Sequence, residues 1–426
     1  MLDGALDRPF LEDLEWRGLL KQRTAELVEP DFKSRPVLYV GYDPSAGSLH
    51  AGSLIPILTM DRFRRRGGQI LVLLGGATGM IGDPSGKDQE RVLEDEFVVE
   101  ERIEQLRAQL RGIFTRTDGP EPIFVNNADW YRAMGVITFL RDIGKNFSVN
   151  QMLARESVRS RIEEREQGIS FTEFSYQIFQ AYDYLHLHRK YSCTIQMGAS
   201  DQWGNIVSGV DLIRRTTGQV VHGLTLPLLT NAEGKKYGKS EKGAIWLDPA
   251  LTSPYEFYQF WYNSTDTDAP MLLRLLSDFS AEEIARFQSG PPSARVPQKE
   301  LAKWLTARVH GVEQARLASR ASAVIFSGAY DELKPDLVEM LAQAVPTYTV
   351  PTGERSQAGA NLVNLGAAQS KNEARRLIEQ RSVAANGTLV LDFEEDLRRY
   401  STNAGAVIVA VGKARRFLIR FSQTEG

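Results

Sequence analysis

Short apolar runs alternate with amphipathic stretches through the first half of the chain. Val37–Val40 and Ile70–Leu74 are compact, β-prone runs that read as buried strands, and Pro122–Val125 and Thr194–Met197 repeat the pattern. Between them lie helical patterns. One opens at His50-Ala51-Gly52-Ser53 and runs to about Arg66, apolar nearly all round; another spans Glu96–Ile113; a third runs from Asp201 to about Arg215. Leu11, Leu14, Leu19 and Leu20, set among charges, predict an amphipathic helix or two before Asp31. Strands alternating with helices argue a mainly parallel sheet covered on both faces. Ligands of such sheets sit at the carboxyl ends of the strands. Gly41, Asp43, Gly75, Gly198 and Asp201 fall at or just after those ends.

After Pro254 the strand signal stops. Pro254–Tyr262, Pro270–Asp278, Ala281–Gln288 and Gln298–Phe326 read as helices, with Ser280-Ala281-Glu282-Glu283 as a capping box. Pro346–Ala360 mixes Pro, Gly, Thr and Ser without periodicity and reads as a linker. Beyond it, Ser370-Lys371-Asn372-Glu373 starts a short helix, Asn386-Gly387 marks a hairpin turn, and Ala406–Val411 and Phe417–Phe421 look like strands. The domains expected are therefore 1–250, 251–345 and 361–426, with 346–360 linking the last two.

Length and composition fit this division. A chain of 426 residues carries a prior of roughly three domains. With 42% hydrophobic and 25% charged residues it is neither disordered nor fibrous. One cysteine, Cys193, excludes an intrachain disulfide and a cysteine-based zinc site, and fits a reducing cytosol. No basic region precedes an apolar run at the N-terminus, and no run approaches the roughly 18 apolar residues of a membrane span. A cytoplasmic protein is expected. The net charge of −3 does not point to a polyanionic partner, but residues 361–426 hold ten Lys/Arg against seven Asp/Glu, a local +3.

Three stretches carry chemistry. Val37–Ser53 combines a strand, a glycine-bearing turn and a helix start, an arrangement that presents backbone N–H groups and a positive dipole end to an anion. Gly52 permits close approach, and His50 can reach a phosphate; the same residues also serve as ordinary structure. On Phe171–Leu187, Tyr176, Gln180 and Asp183 share one helical stripe, while Phe171, Phe174, Ile178 and Leu185 form an apolar one that can serve the core. A polar stripe ordinarily faces solvent. Lining a pocket, it offers an acceptor for an ammonium and a carboxylate for a phenolic O–H. Lys235–Lys242 reads as a solvated basic loop, or as a cationic lid that Gly234, Gly238 and Gly243 allow to close. The five histidines show no metal-ligand clustering, and His186 and His188 read as surface or packing residues.

Two of these stretches resemble the signatures of class I aminoacyl-tRNA synthetases: Val37–Ser53 the first, Lys236-Tyr237-Gly238-Lys239-Ser240 the second. Gly75–Lys87, Phe171–Tyr184 and Gln196–Ile206 resemble bacterial tyrosyl-tRNA synthetases, in the right order over nearly the whole chain. The resemblance implies an α/β fold: a Rossmann-like parallel-sheet catalytic domain, an α-helical anticodon-binding domain and a small α+β RNA-binding domain of ribosomal-protein type. It implies L-tyrosine, ATP and tRNA(Tyr) as substrates, with Mg2+ accompanying ATP and no dedicated metal cage. Tyr176, Gln180 and Asp83 match residues that hold the tyrosine ammonium. Asp183 and Tyr39 match the pair on the phenolic hydroxyl, Gln196 supports them, and Gln202 lies near the carboxylate. Gly41, Asp43, Gly52, Ser53, Gly198 and Asp201 match nucleotide contacts. Ser45, His50, Lys236, Lys239, Lys87 and Arg91 match groups on the departing phosphates, and Lys239 also contacts ATP. Gly144–Met152 resembles a dimer contact, so a homodimer is expected. Ser53 stands where the family's second signature His is usual; Val40 and Ala199 replace an expected Cys and Gly.

Overall fold

The computed structural model describes residues 6–83, 95–153, 158, 169–240, 243–412 and 415–422, apart from the side chains of Lys239, Ser240 and Ser327. Its first sheet contains β1 (Gln22–Arg23), β2 (Val37–Tyr42), β3 (Gln69–Leu74), β4 (Ile123–Asn126), β5 (Ile195–Ala199) and β6 (His222–Leu226). Their order is β1-β6-β5-β2-β3-β4. All pairs are parallel except β1 with β6. Central strands covered on both faces need continuous apolar sequence, and Ile70–Leu74 of β3 is buried at every position. Helices Leu54–Arg65, Glu96–Phe114, Phe171–Tyr191 and Trp203–Thr217 connect and cover the strands. A small ribbon of β7 (Lys239–Ser240) and β8 (Gly243–Ala244) follows.

Contacts divide the chain into two compact units, Met1–Asp248 with Thr265–Pro297, and Pro249–Ser264 with Gln298–Gly426. Helices Asp268–Leu276 and Ala281–Gln288 thus belong with the first sheet. The reason is electrostatic. The last carbonyls of a helix lack intrahelical donors. Here Arg17 donates to the carbonyls of Arg274 and Ser277 at 3.1 and 2.6 Å, and Arg62 to that of Ser277 at 2.7 Å. Arg62 and Arg65 also pair with the buried Asp278 at 2.9 and 2.5 Å. Asp13 pairs with Arg17 and Arg66 at 2.9 and 3.2 Å, tying in the helix Phe10–Arg17. Removing one member strands buried charge and carbonyls. Arg62→Leu is therefore expected to lower stability by about 3 kcal/mol, read from urea unfolding; a loss below about 0.5 kcal/mol, within the range of an inconsequential surface change, would refute this role for the network.

In the second unit, helices Pro254–Tyr262, Val296–His310, Val312–Ser327 and Pro335–Ala342 precede a second sheet. The sequence predicts one helix over Gln298–Phe326; the structure breaks it at Gly311, whose φ of 98° no helix accommodates. The sheet holds β9 (Thr347–Val350), β10 (Val383–Ala385), β11 (Thr388–Leu389), β12 (Ala406–Val411) and β13 (Arg415–Phe421), ordered β11-β10-β12-β13-β9. Residues 347–350, read from the sequence as linker, pair parallel with β13. Thr-Tyr-Thr-Val is β-branched and aromatic and buries Val350 in the sheet's core, which outweighs the flanking Pro and Gly. Asn386 and Gly387 both take positive φ, 43° and 79°, in the hairpin turn their identity predicts.

Candidate active site

The ladder between β2 and β5 is short. Leu38 pairs with Ile195 and Tyr39 with Gln196, and beyond them the strands part. A cavity of about 500 Å3 opens there, at the carboxyl ends of the sheet and at the point where its strand order reverses. Tyr39, Gly41, Asp43, Ser45, His50, Gly52, Ser53, Asp83, Tyr176, Gln180, Asp183, Gln196, Gly198, Asp201 and Gln202 all line it. Lys236 is not in its wall but acts on Asp201 electrostatically. Lys87, Arg91 and the Lys239 side chain lie outside the described residues.

The deep end is a hydrogen-bonding slot in an apolar surround. The Tyr39 hydroxyl is buried without a partner among the described residues, its ring 5.3 Å from that of Tyr184. Such a group costs free energy until something fills it. Asp183 is 2% exposed and receives hydrogen bonds from Asn127 Nδ2 at 3.1 Å and Trp130 Nε1 at 3.0 Å. Burial pushes its carboxyl up to about 7, against those two bonds, which favour the ionised form. Burial and the charge of Asp183 both hold the Tyr39 phenol well above its usual range, so it remains a donor. Gln180 Oε1 and Gln196 Oε1 are also buried and unpartnered among the described residues. Of the apolar stripe on Phe171–Tyr191, Leu185 is buried in the core and Ile178 packs against it, but Phe171, at the first position of the helix, is 77% exposed.

Farther out, carboxylates dominate. Tyr176 Oη and Thr78 Oγ1 each donate to Asp43 at 2.8 Å. Gly75 is glycine for this reason: a Cβ there would lie 2.1 Å from Asp43 Oδ1. Asn127 bridges the two ends, donating to Thr78 Oγ1 at 2.9 Å as well as to Asp183. Gln202 Nε2 donates to Asp83 at 2.6 Å. Burial, then the charge of Asp83, raises the Asp201 carboxyl, and Lys236 opposes the rise.

The rim is a backbone clasp. His50 caps the helical turn Ala51–Ser53, its Nδ1 accepting from Gly52 N–H at 3.0 Å. That bond leaves the proton of the neutral ring on Nε2, as a donor. The chain after the basic loop folds back on this turn. Ala51 N–H donates to Ile245 O at 2.8 Å, Leu247 N–H to Leu49 O at 2.8 Å and Ile245 N–H to Gly238 O at 3.0 Å. A Cβ on Gly238, which sits at φ 116°, would approach the Gly52 nitrogen to 3.3 Å. The loop thus presses backbone to backbone on the glycine of the first stretch. Ser48 and Gln109 brace the turn, Gln109 accepting from Leu49 N–H at 2.9 Å and donating to Ser48 Oγ at 3.0 Å.

Sequence reasoning missed Thr78, Asn127, Trp130 and Trp246. The signal for the middle two was present: Asn126-Asn127-Ala128-Asp129-Trp130 directly follows an apolar strand, where ligands gather.

A parallel sheet with a ligand cavity at its switch point, clasped by a histidine turn and a basic loop, defines a nucleotide-using enzyme of the class I synthetase kind. The chain belongs to the family of class I tRNA synthetases (W and Y), whose model matches residues 32–327, and is an aminoacyl-tRNA synthetase. It is 43% identical over 420 residues to the tyrosine–tRNA ligase of Roseiflexus castenholzii, covering 96% of this chain and 99% of that one. It is 46% identical over 389 residues to that of Anaeromyxobacter dehalogenans, covering 89% and 91%. Among solved structures, a C-terminally truncated mitochondrial tyrosyl-tRNA synthetase from Aspergillus nidulans superposes with a TM-score of 0.66 at 30% identity, over 75% of this chain and 94% of that one.

Proposed function

We propose that this chain is a tyrosine–tRNA ligase: it joins L-tyrosine to ATP as tyrosyl-adenylate and transfers the tyrosyl group to the 3′ end of tRNA(Tyr). The observation that carries the choice of amino acid is the buried Tyr39 hydroxyl, without a partner among the described residues and coupled to Asp183. A phenol donates to the carboxylate and accepts from Tyr39. The amino group meets Asp83, Tyr176 and Gln180, with Gln196 behind them and Gln202 toward the carboxylate. That carboxylate attacks the α-phosphorus, and pyrophosphate leaves; positioning and charge stabilisation suffice, without a covalent enzyme nucleophile. Gly41, Asp43, Gly52, Ser53, Gly198 and Asp201 hold the nucleoside. Ser45, His50 Nε2–H, Lys236, Lys239, Lys87 and Arg91 receive the phosphates.

No three His, Cys, Asp or Glu among the described residues gather as a metal cluster. Mg2+ suits this site because it is commonly held by phosphates and one or two carboxylates; it neutralises phosphate charge when ATP binds. Exposed Val136, Ile137, Leu140, Val149 and Leu153 support a homodimer through this apolar surface. No described helix is long and apolar enough to cross a membrane, and we place the enzyme in the cytoplasm.

Tyrosine-dependent ATP–pyrophosphate exchange, run across all twenty amino acids, tests the reading. Exchange driven by tryptophan, or none at all, would reject it. The helical domain and the small C-terminal domain are proposed to hold the tRNA, with Lys371 and Arg376 exposed on the helix Lys371–Glu379. Replacing both by Glu is expected to spare exchange and raise KM for tRNA roughly tenfold, with a shallower salt dependence. An unchanged KM would remove this helix from the RNA surface.

A further inference from the structure

His186 lies one turn beyond Asp183 on the helix Phe171–Tyr191, and nothing in the proposed chemistry uses it. Its ring stacks on the Trp130 indole, with centroids 4.2 Å apart and planes 17° from parallel. The same indole donates Nε1–H to Asp183 Oδ1 at 3.0 Å. His186 Nε2 is buried and has no partner among the described residues. An imidazole in a half-buried place ordinarily secures both nitrogens; here one is given up, and the ring's main engagement is the stack.

We propose that His186 is a positioning residue for tyrosine selection: it fixes the plane of Trp130 so that the indole N–H meets the specificity carboxylate. The inference rests on the reading of Asp183 as the acceptor for the tyrosine hydroxyl. Trp130 has two side-chain torsions to fix and is only partly buried where it packs on the core and beside Tyr131. A parallel stack confines both at once, so the donor stays within hydrogen-bond reach of the carboxylate oxygen it serves. Asn127, three residues earlier at the N-cap of the same helical turn, supports the other oxygen and is itself fixed by Ala77 N–H and Thr78 Oγ1. Trp130 is thus the adjustable member of the pair, and His186 removes the adjustment.

The ring acts in its neutral form. Burial first, then Lys190 and Arg189 on its own helix, lower its basicity, and Tyr182 lies 6.3 Å away. Protonation would place an N–H with no acceptor at the buried Nε2. Around Asp183 itself the titratable groups are Asp43, Tyr39, Tyr131, Tyr176 and Tyr182. Loss of the indole bond removes support from the ionised carboxylate, so its titration moves to higher pH.

Three enzymes, wild type, His186→Ala and His186→Phe, test this by pyrophosphate exchange from pH 6 to 9. His186→Ala is expected to raise KM for tyrosine roughly two- to tenfold with kcat and KM for ATP within a factor of about two, to narrow the preference for tyrosine over phenylalanine, and to shift the acid limb of kcat/KM for tyrosine upward. His186→Phe keeps a planar ring on the indole and is expected to restore all three. A wild-type KM and acid limb in His186→Ala would overturn the proposal. So would equal impairment of both variants, or a loss of kcat and ATP affinity together, which is the mark of general damage. If the wild type itself fails to activate tyrosine, it is the reading of Asp183 that falls.

Discussion

Asp183→Asn is expected to lower kcat/KM for tyrosine by about a hundredfold while leaving phenylalanine activation nearly unchanged. A hydrogen bond to a charged group contributes about 1.5 to 3 kcal/mol, which is roughly ten- to a hundredfold. The amide adds a second cost. Asn127 and Trp130 each present a donor to one oxygen of Asp183, and an asparagine side chain offers one oxygen and one NH2. One of those donors must then face another donor. Phenylalanine brings no hydroxyl, so it gains nothing from the carboxylate and loses little with it. Parallel measurement of both amino acids decides the matter; an unchanged ratio would sink the assignment of the phenol slot.

The pH dependence has two opposite signs. Burial holds Asp183 near 7, above its value in an unfolded chain. Between about pH 4 and 7 the folded state therefore binds a proton that the unfolded state has released, and this group's contribution to stability falls as pH rises. With Asp183 as the proposed acceptor for the phenol, tyrosine binding is expected to need the ionised carboxylate and to strengthen over the upper part of the same range. Free enzyme and tyrosine complex should accordingly separate in thermal stability as pH climbs toward 8, and Asp183→Asn should remove the separation.

The parallel sheet was legible because its central strands are short and apolar throughout: Ile70–Leu74 is buried at each position. His222–Leu226 escaped notice, since His, Gly and Thr break its apolar run. The two-residue Gln22–Arg23 edge strand has no periodicity to read. The helix starts at Ser280 and Ser370 are visible in sequence because a cap is local chemistry: the reciprocal box forms at Ser280, whereas at Ser370 the serine accepts from Glu373 N–H and the Glu373 carboxylate accepts from Gln369 N–H instead. The place of Asp268–Leu276 beside the first sheet was not legible, because Arg17 and Arg62 reach its carbonyls from more than 200 residues away in sequence. The polar stripe Tyr176, Gln180, Asp183 named pocket residues, yet gave no hint that Asn127 and Trp130 hold the carboxylate. Partners of a buried charge come from whichever element folds over it, and spacing along one helix carries no record of them.

The other large effect concerns the cations. The described cavity wall contains Asp43, Asp83, Asp183 and Asp201 and no lysine or arginine. Such a wall suits an ammonium group and repels a triphosphate. Compensating charge must therefore come from outside the wall, and the loop clasped on Gly52 brings Lys236 within electrostatic reach of Asp201. Lys236→Ala is expected to slow adenylate formation by about a hundredfold, the scale of removing one preorganised donor from a developing anion, with tyrosine affinity unchanged. Lys235 supplies the control. It sits next in the chain and pairs with Glu233 at 2.9 Å on the exposed surface, so Lys235→Ala should leave the rate within a factor of about two, as exposed pairs contribute little. Pre-steady-state adenylate formation separates rate from affinity. Equal effects of the two substitutions would mean that the loop acts through its net charge, whereas weakened tyrosine binding in Lys236→Ala would mean that the lysine serves the amino acid rather than the leaving group.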